Sequence, residues 1–264
     1  MSLFGRVARE AALEAGCYMK RRLGKIKELS FKGEINLVTD VDKKCEALII
    51  RRLKSHFPKH EILAEESGGD RQSCAYRWVI DPLDGTTNYA HNFPFFAVSI
   101  ALERELKPIV GVVYDPMRDE TFYAERDKGA YLNRKRMHVS KERSLSRSLL
   151  ATGFAYDVKR VLQNNISNFN KFVMSAQAIR RPGSASLDIC YVASGRLDGF
   201  WEMKLFPWDT AAAVLIAKEA GGKVTRFSGE PYSHYDEDVI VSNSKIHKQM
   251  IDVLRSKRRR SWRR

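Results

Sequence analysis

Residues 81–87 read Asp-Pro-Leu-Asp-Gly-Thr-Thr and place two carboxylates three positions apart, ahead of a glycine and two hydroxyls. The preceding RWVID reads as a strand ending at Asp81. Pro82, with no N–H and a fixed φ, is expected to end its ladder pairing. Gly85 lets backbone approach a ligand closely. A helix beginning near Thr86 would offer free N–H groups and its dipole to an anion. Carboxylates beside an anion cradle suit Mg2+, which takes oxygen ligands and shares them with phosphate. A plain loop ending in an N-cap would use the same residue types. Taken alone, the segment leaves both readings open.

Three further acidic segments weigh on the choice. Glu65 and Glu66 end an apolar strand, Asp42 falls in the first turn of a helix, and Asp209 opens another helix after Trp208. Singly, each has a structural explanation: aspartates complement a helix N-terminus, and glutamates solvate a strand end. Together they describe a cation site. Two carboxylates about 4 Å apart repel by roughly 4 kcal/mol at an effective dielectric near 20, so a cluster is tolerable only when protonated or metal-filled. Divalent ions supply a nucleophile at neutral pH and stabilise a departing alkoxide. Other chemistries lack their signatures: GxSxG, HExxH, GxxxxGK[ST] and GxGxxG are absent. The aspartate spacing also differs from the DxDx[TV] of aspartyl-phosphate phosphatases, and no run of βα units surrounds it. The six histidines show no ligand spacing.

The elements that must position these residues follow from periodicity. Residues 3–23 read as an amphipathic helix. In residues 40–57, Val41, Cys45, Leu48, Ile49 and Leu53 recur on one helical face. Short β-branched or aromatic segments then predict strands at 61–64, 77–81, 95–102, 108–115, 121–125 and 130–132. Beyond them the spacing predicts a strand at 149–152, helices at 158–173 and 186–194, and a strand at 199–202. A helix over 207–220 has an early proline and stops at Gly221-Gly222. Strands at 224–227 and 239–241 and a helix at 244–254 close the chain. Stacked α and β layers are implied.

The chain has 264 residues, 44% hydrophobic and 30% charged, which is a globular composition able to build a sizeable core. No apolar run reaches the roughly 18–20 residues of a membrane span. Arg and Glu within MSLFGRVARE argue against a secretory signal. Cys17, Cys45, Cys74 and Cys190 form no CxxC pair, so reduced thiols in the cytoplasm are expected. Half of the net charge of +14 sits in the last ten residues, RSKRRRSWRR. The moderately basic remainder can steer small anions. No linker precedes this tail, so the division is one catalytic domain over 1–254 and a basic tail over 255–264.

Several segments resemble the inositol monophosphatase family in order and spacing: NLVTDVD (36–42), AEES (64–67), WVIDPLDGTTN (78–88), RRPGSASLD (180–188), FWEMKLFPWDTAAA (200–213) and EAGG (219–222). VVYDPMRDE (112–120) and LLATGF (149–154) resemble its bacterial extragenic-suppressor subgroup. The resemblance implies an α+β fold, an α-β-α-β-α layered sandwich usually assembled as a homodimer. It implies that Asp81 bridges two Mg2+ ions. Glu65 and the Leu83 carbonyl complete the first site, Glu65 also faces a third ion, and Asp84 and Asp209 hold the second. Asp42 and Thr86 resemble the dyad that orients and activates the attacking water. Gly85 and Thr86 N–H groups, with Thr87, would cradle phosphate.

Glu202 matches the position that contacts inositol hydroxyls, and Gly183, Ser184 and Ala185 match the substrate loop, with Ser184 where the family has threonine. Arg180 would reach the substrate or an interface, and Lys32 would lie where a mobile glycine-containing loop covers the metals. The implied activity is Mg2+-dependent hydrolysis of inositol 1-phosphate, inhibited by Li+ at the second metal. Relatives of this fold also cleave fructose 1,6-bisphosphate, 3′-phosphoadenosine 5′-phosphate and histidinol phosphate.

The subgroup is further associated with the transcription machinery, so the tail is a candidate RNA or RNA polymerase contact, with Trp262 available to stack on a base. Seven phosphate contacts to single strands would give a log K against log salt slope of about −5. The subgroup's usual C-terminus is not this arginine-rich, and cations that offset a helix dipole or are merely solvated are the commoner explanation of such a tail.

Overall fold

The computed structural model describes residues 1–25, 29–32, 36–69, 75–162 and 164–256, with backbone alone at 29–32, 36 and 37. Lys32 as a side chain, Cys74 and tail residues 257–264 therefore lie outside the described residues.

Helix α1 (Leu3–Arg22) starts at Ser2, whose hydroxyl accepts the Gly5 N–H at 3.2 Å. Strands β1 (Leu29–Lys32) and β2 (Asn36–Thr39) pair antiparallel and lead into α2 (Asp40–His56). A capping box of Thr39 and Asp42 begins α2, satisfying two N–H groups that its first turn would otherwise leave open. Of its expected apolar face, Val41, Cys45, Ile49 and Leu53 are fully buried while Leu48 is only half-buried.

A seven-stranded sheet follows in the order β3 (Glu61–Ala64), β4 (Arg77–Asp84), β5 (Ala97–Arg104), β6 (Lys107–Asp115), β7 (Glu120–Glu125), β8 (Ala130–Leu132) and β9 (Lys135–Arg136). Only β3–β4 is parallel. The short helix α3 (Thr86–Ala90) sits between β4 and β5. The second sheet comprises β10 (Leu149–Thr152), β11 (Ala178–Arg180), β12 (Gly199–Met203), β13 (Lys223–Thr225) and β14 (Asp238–Ser242), ordered β11-β10-β12-β14-β13. Helices α4 (Ile166–Val173), α5 (Ala185–Ala193), α6 (Pro207–Glu219) and α7 (His247–Arg255) complete the chain.

Strand alternation separates the cores. Trp78 and Ile80 face α1 and α2, while Val79 faces α5 and α6. The inner face of the second sheet, with Phe200, Val239 and Val241, covers the other side of α5 and α6. Its outer face, with Leu150, Trp201 and Ile240, packs against Phe172 of α4 and Met250 of α7. The layers are therefore α-β-α-β-α, the sandwich expected. Helix α6 is apolar all round because both neighbours are sheets; Ala211 through Ala217 are all buried. It lies so close to β6 that a Cβ on Gly111 would stand 2.6 Å from the Ala212 carbonyl oxygen.

Two expectations are corrected. Strand β4 does not stop at Asp81: pairing resumes at Asp84↔Ala97 after Asp81↔Ser99, so one extra residue bulges out and Pro82 sits where no ladder N–H is needed. The helix expected over 158–173 occupies only Ile166–Val173. Before it, the Asn164 side-chain amide donates to the Val158 and Val161 carbonyls at 3.2 and 2.9 Å, stabilising turns in place of helix. The last helix likewise starts at His247, because Asn243 Oδ1 accepts the Lys245 and Ile246 N–H groups. Strands β1, β2, β9 and β11 carry no signal strong enough to be expected. No described helix is long and apolar enough to cross a membrane.

Candidate active site

The parallel β3–β4 pair brings two acidic positions together. Ala64 pairs with Ile80, and the Glu65 N–H donates to the Ile80 carbonyl at 3.2 Å, so Glu65 lies alongside Asp81. Asp81 is buried, and its Oδ1 accepts the Leu83 N–H at 3.0 Å. The bulge after Asp81 turns Asp84 toward α5. There its Oδ2 accepts from Ser184 Oγ at 2.7 Å and from the Ser186 N–H and hydroxyl at 2.8 and 2.5 Å. Asp209 stands in the first turn of α6, with Oδ2 accepting the Phe206 N–H at 2.7 Å.

Asp42 does more than cap a helix. Oδ2 accepts the Thr39 N–H and hydroxyl at 2.8 and 2.5 Å, while Oδ1 accepts the Thr86 hydroxyl at 2.9 Å. Thr86 Oγ1 also lies 3.1 Å from the Leu83 carbonyl. The dyad thus joins α2 to the start of α3 across 44 residues of chain. Gly85, with φ of 99°, occupies the left-handed region, and a Cβ there would stand 3.0 Å from the Phe95 carbonyl oxygen. Asn88 ties this turn to the 180–185 loop by donating to the Phe95 and Pro182 carbonyls at 2.7 and 2.8 Å. Gly183 packs against Gly85, and Ser184 and Ala185 open α5 beside Asp84.

Burial pushes Asp81 and Asp209 well above the usual carboxylate range, and neighbouring carboxylates push further: Glu65, Asp84 and Asp209 on Asp81, and Asp84, Glu65 and Glu202 on Asp209. Asp84 is raised by burial against its serine and backbone donors. Burial lifts Asp42 to about 6 and Glu202 to about 8. Glu202, on β12, lies flat over Gly153, where a Cβ would overlap its carboxylate. These mutual effects place Glu65, Asp81, Asp84 and Asp209 around one site. No three acidic, imidazole or thiol side chains among the described residues yet converge on a single point close enough to hold an ion. The donor set is nevertheless all oxygen and strongly negative, with Asp81 and Asp84 buried and Glu65 and Asp209 half-buried, and the offset on Asp81 is one backbone N–H. That chemistry fits a hard divalent cation.

Arg180 is not brought in; it is exposed on β11, with Nη1 donating to the Ile179 carbonyl at 3.1 Å. Arg181 is the cation that acts on Glu202 and on Asp188. Asp188 is buried with Oδ1 lacking a hydrogen-bond partner. Thr87 is at the surface; burial, and then the carboxylates of Glu65, Asp209 and Asp84, push the Tyr156 phenol up. Sequence reasoning passed over Arg181, Asp188, Gly153 and Tyr156. The first three lie inside or beside quoted motifs, where flanking residues drew the assignment; Tyr156 lies two residues past LLATGF.

A five-layer sandwich with Asp81 and Asp84 buried beside a glycine-opened turn suits the binding of a phosphoester. The chain belongs to the inositol monophosphatase family, whose sequence model matches residues 2–259. It is 44% identical over 253 residues to the inositol-1-monophosphatase of Synechocystis sp., covering 94% of this chain and 87% of that one. It is equally 44% identical over 231 residues to the Nus factor SuhB of Escherichia coli, covering 86% of each. The solved extragenic suppressor protein suhB of Bartonella henselae superposes with a TM-score of 0.89 at 38% identity, over 97% of this chain and 100% of that one. The protein is a phosphatase of this family.

Proposed function

We propose that the protein is a Mg2+-dependent phosphomonoesterase whose substrate is inositol 1-phosphate. The observation that carries the reading is the buried Thr86–Asp42 hydrogen bond, set beside an Asp81 whose charged neighbours are Glu65, Asp84 and Asp209. In this reading Glu65, Asp81 and the Leu83 carbonyl hold one ion, and Asp81, Asp84 and Asp209 a second, with Glu65 turned toward a third. Bound Mg2+ supplies Lewis acidity toward the ester and neutralises charge on the leaving group.

The chain's own residues do the rest. Asp42, its second oxygen fixed by Thr39, holds the Thr86 hydroxyl so that Thr86 can orient an attacking water and take its proton while giving its own hydroxyl proton to the Asp42 carboxylate. Gly85 and Thr86 N–H groups at the start of α3, with Thr87, receive the phosphate. Glu202 accepts hydroxyls of the polyol, and the Gly183–Ala185 segment shapes the wall beside it. Support for the substrate is Glu202, together with the Synechocystis relative's name.

Phosphate release should be measured from inositol 1-phosphate, fructose 1,6-bisphosphate and 3′-phosphoadenosine 5′-phosphate, with Mg2+ and with EDTA. Inositol 1-phosphate should be the best ester, and turnover should vanish in EDTA and fall with Li+. Full activity in EDTA would overturn the reading.

A second reading is favoured by the similarity to Nus factor SuhB. Here residues 1–254 act as one catalytic unit and the tail 255–264 contacts RNA or RNA polymerase. Met250, Val253 and Leu254 anchor α7 to the second sheet, so the tail leaves from a fixed point. Deleting 255–264 should abolish such association and spare turnover. A homodimer is also proposed: Ile166, Val173 and Met174 are exposed on or just after α4, next to the edge strand β11. Sedimentation would read it. The described cysteines Cys17, Cys45 and Cys190 are free thiols, in keeping with the cytoplasm.

A further inference from the structure

Glu46 is a buried carboxylate that the mechanism leaves unused, and it falls between the NLVTDVD and AEES segments. It stands on α2 one helical turn after Asp42, so the two acids share a face about 6 Å apart along the axis. Asp42 is 1% exposed and Glu46 5%. Among the described residues no cation pairs with Glu46. A carboxylate is costly to bury on those terms, and what it holds is therefore of interest.

Glu46 Oε2 accepts the Glu66 N–H at 2.8 Å, across 20 residues of chain. Glu65 is thereby held on both sides. Its own N–H donates to the Ile80 carbonyl at 3.2 Å, and the N–H of the peptide that follows it points at Glu46. Peptides are planar, so fixing the planes before and after a residue fixes its φ and ψ, and with them the direction of its Cβ. The turn that carries both glutamates is closed beneath them: the Ala64 N–H donates to the Gly68 carbonyl and the Gly68 N–H to the Ala64 carbonyl, each at 2.9 Å.

Helix α2 thus reaches the site twice. Through Asp42 it holds the Thr86 hydroxyl at 2.9 Å, and one turn later, through Glu46, it holds the backbone beside Glu65. The rise of the helix sets the spacing between those two grips.

We infer that Glu46 is a positioning residue for the ion held by Glu65 and Asp81: it fixes the Glu65 backbone, so that this carboxylate stands at a set distance from the Asp42–Thr86 pair. The inference rests on the reading of Glu65 as a Mg2+ ligand and is independent of which ester is cleaved.

The test titrates Mg2+ into the metal-free protein by calorimetry. It compares the unmodified chain with Glu46→Met, Glu46→Gln, Glu65→Gln and the Glu46→Met, Glu65→Gln double variant. Glu46→Met, close in shape but without the acceptor, should weaken Mg2+ binding about tenfold, as loss of a group that orients a metal ligand does. Glu46→Gln keeps a side-chain carbonyl for the Glu66 N–H and should stay within about twofold of the unmodified protein. Glu65→Gln should lose affinity by itself, and adding Glu46→Met should cost nothing more, because both changes act through one carboxylate.

Undiminished Mg2+ affinity in Glu46→Met would overturn the inference. Equal losses in Glu46→Gln and Glu46→Met would make the residue a source of charge, and additive losses in the double variant would make it a general prop of the fold; either result overturns it. Should Glu46→Met not fold, Glu46→Leu gives the same readings. Absence of Mg2+ binding by the unmodified protein would overturn the metal reading and the inference with it, whereas intact binding that ignores Glu46→Met removes the inference alone.

Discussion

Strand β4 begins and ends in buried charge, and the two ends are built differently. At its start Arg77 pairs with Glu103 of β5 at 3.3 Å, each side chain only 1% exposed. Glu103 also receives Tyr235 Oη at 2.9 Å and faces His234 Nε2 at 2.8 Å. Opposite charges and hydrogen bonds from the same chain close that cluster. At the other end Asp81 is as deeply buried, yet its charged neighbours are Glu65, Asp84 and Asp209. Burying a carboxylate without a partner costs several kcal/mol. A fold retains such an open cluster where something from outside completes it. The closed end holds the sandwich together, and the open end is where ligands belong.

The largest effect expected from this contrast is at the open end. Asp81→Asn should reduce turnover by at least roughly a thousandfold, about 4 kcal/mol of barrier, while raising the thermal midpoint in EDTA by roughly 2–4 °C as repulsion is relieved. A stabilised, fully active Asp81→Asn protein would break the comparison.

Arg77→Met at the closed end should behave oppositely. Stranding Glu103 should cost about 3–5 kcal/mol of stability, measured by urea unfolding, with kcat per folded molecule unchanged.

His247 is a further group of the closed kind: Thr225 Oγ1 and Ser242 Oγ lie 2.8 Å from its two ring nitrogens, and burial lowers it to about 4. With an unfolded value near 6.5, its neutral form stabilises the fold fully above pH 6.5. That contribution is lost as pH falls from 6.5 toward 4, because the unfolded chain takes up the proton first. The loss should amount to roughly 2 kcal/mol after allowance for partial solvent access. Urea midpoints across this range should flatten in His247→Asn.

The smallest effect sharpens the open end. A methyl group on Gly153 should displace the Glu202 carboxylate. In Gly153→Ala, KM for inositol 1-phosphate should rise about tenfold, roughly 1.4 kcal/mol, and KM for p-nitrophenyl phosphate far less. Equal rises for both esters would detach Glu202 from the alcohol.

Much of this was readable beforehand because the signals are local. The apolar face of α2, the Pro–Gly bracket of α6 and the residue order DPLDGTT depend on near neighbours in the chain. Misreadings arose where side chains compete with backbone at a distance of a few residues. Asn164 cuts α4 to half its expected span, and a bulge carries β4 past Pro82. Arg180 and Arg181 are indistinguishable by type; in the fold Arg180 turns back to the Ile179 carbonyl and it is the charge of Arg181 that acts on Glu202.

Residue identity and order alone determined that oxygen donors, a glycine turn and hydroxyls are available, and which strands and helices carry them. Only the folded chain decided which of them meet. Glu65 reaches Asp81 through parallel pairing, Asp42 reaches Thr86 across two elements, and Asp84 reaches Ser184 and Ser186 at the start of α5. Each of those contacts depends on register and layer packing, which are set by the burial of whole faces and leave no mark at the contacting residues themselves.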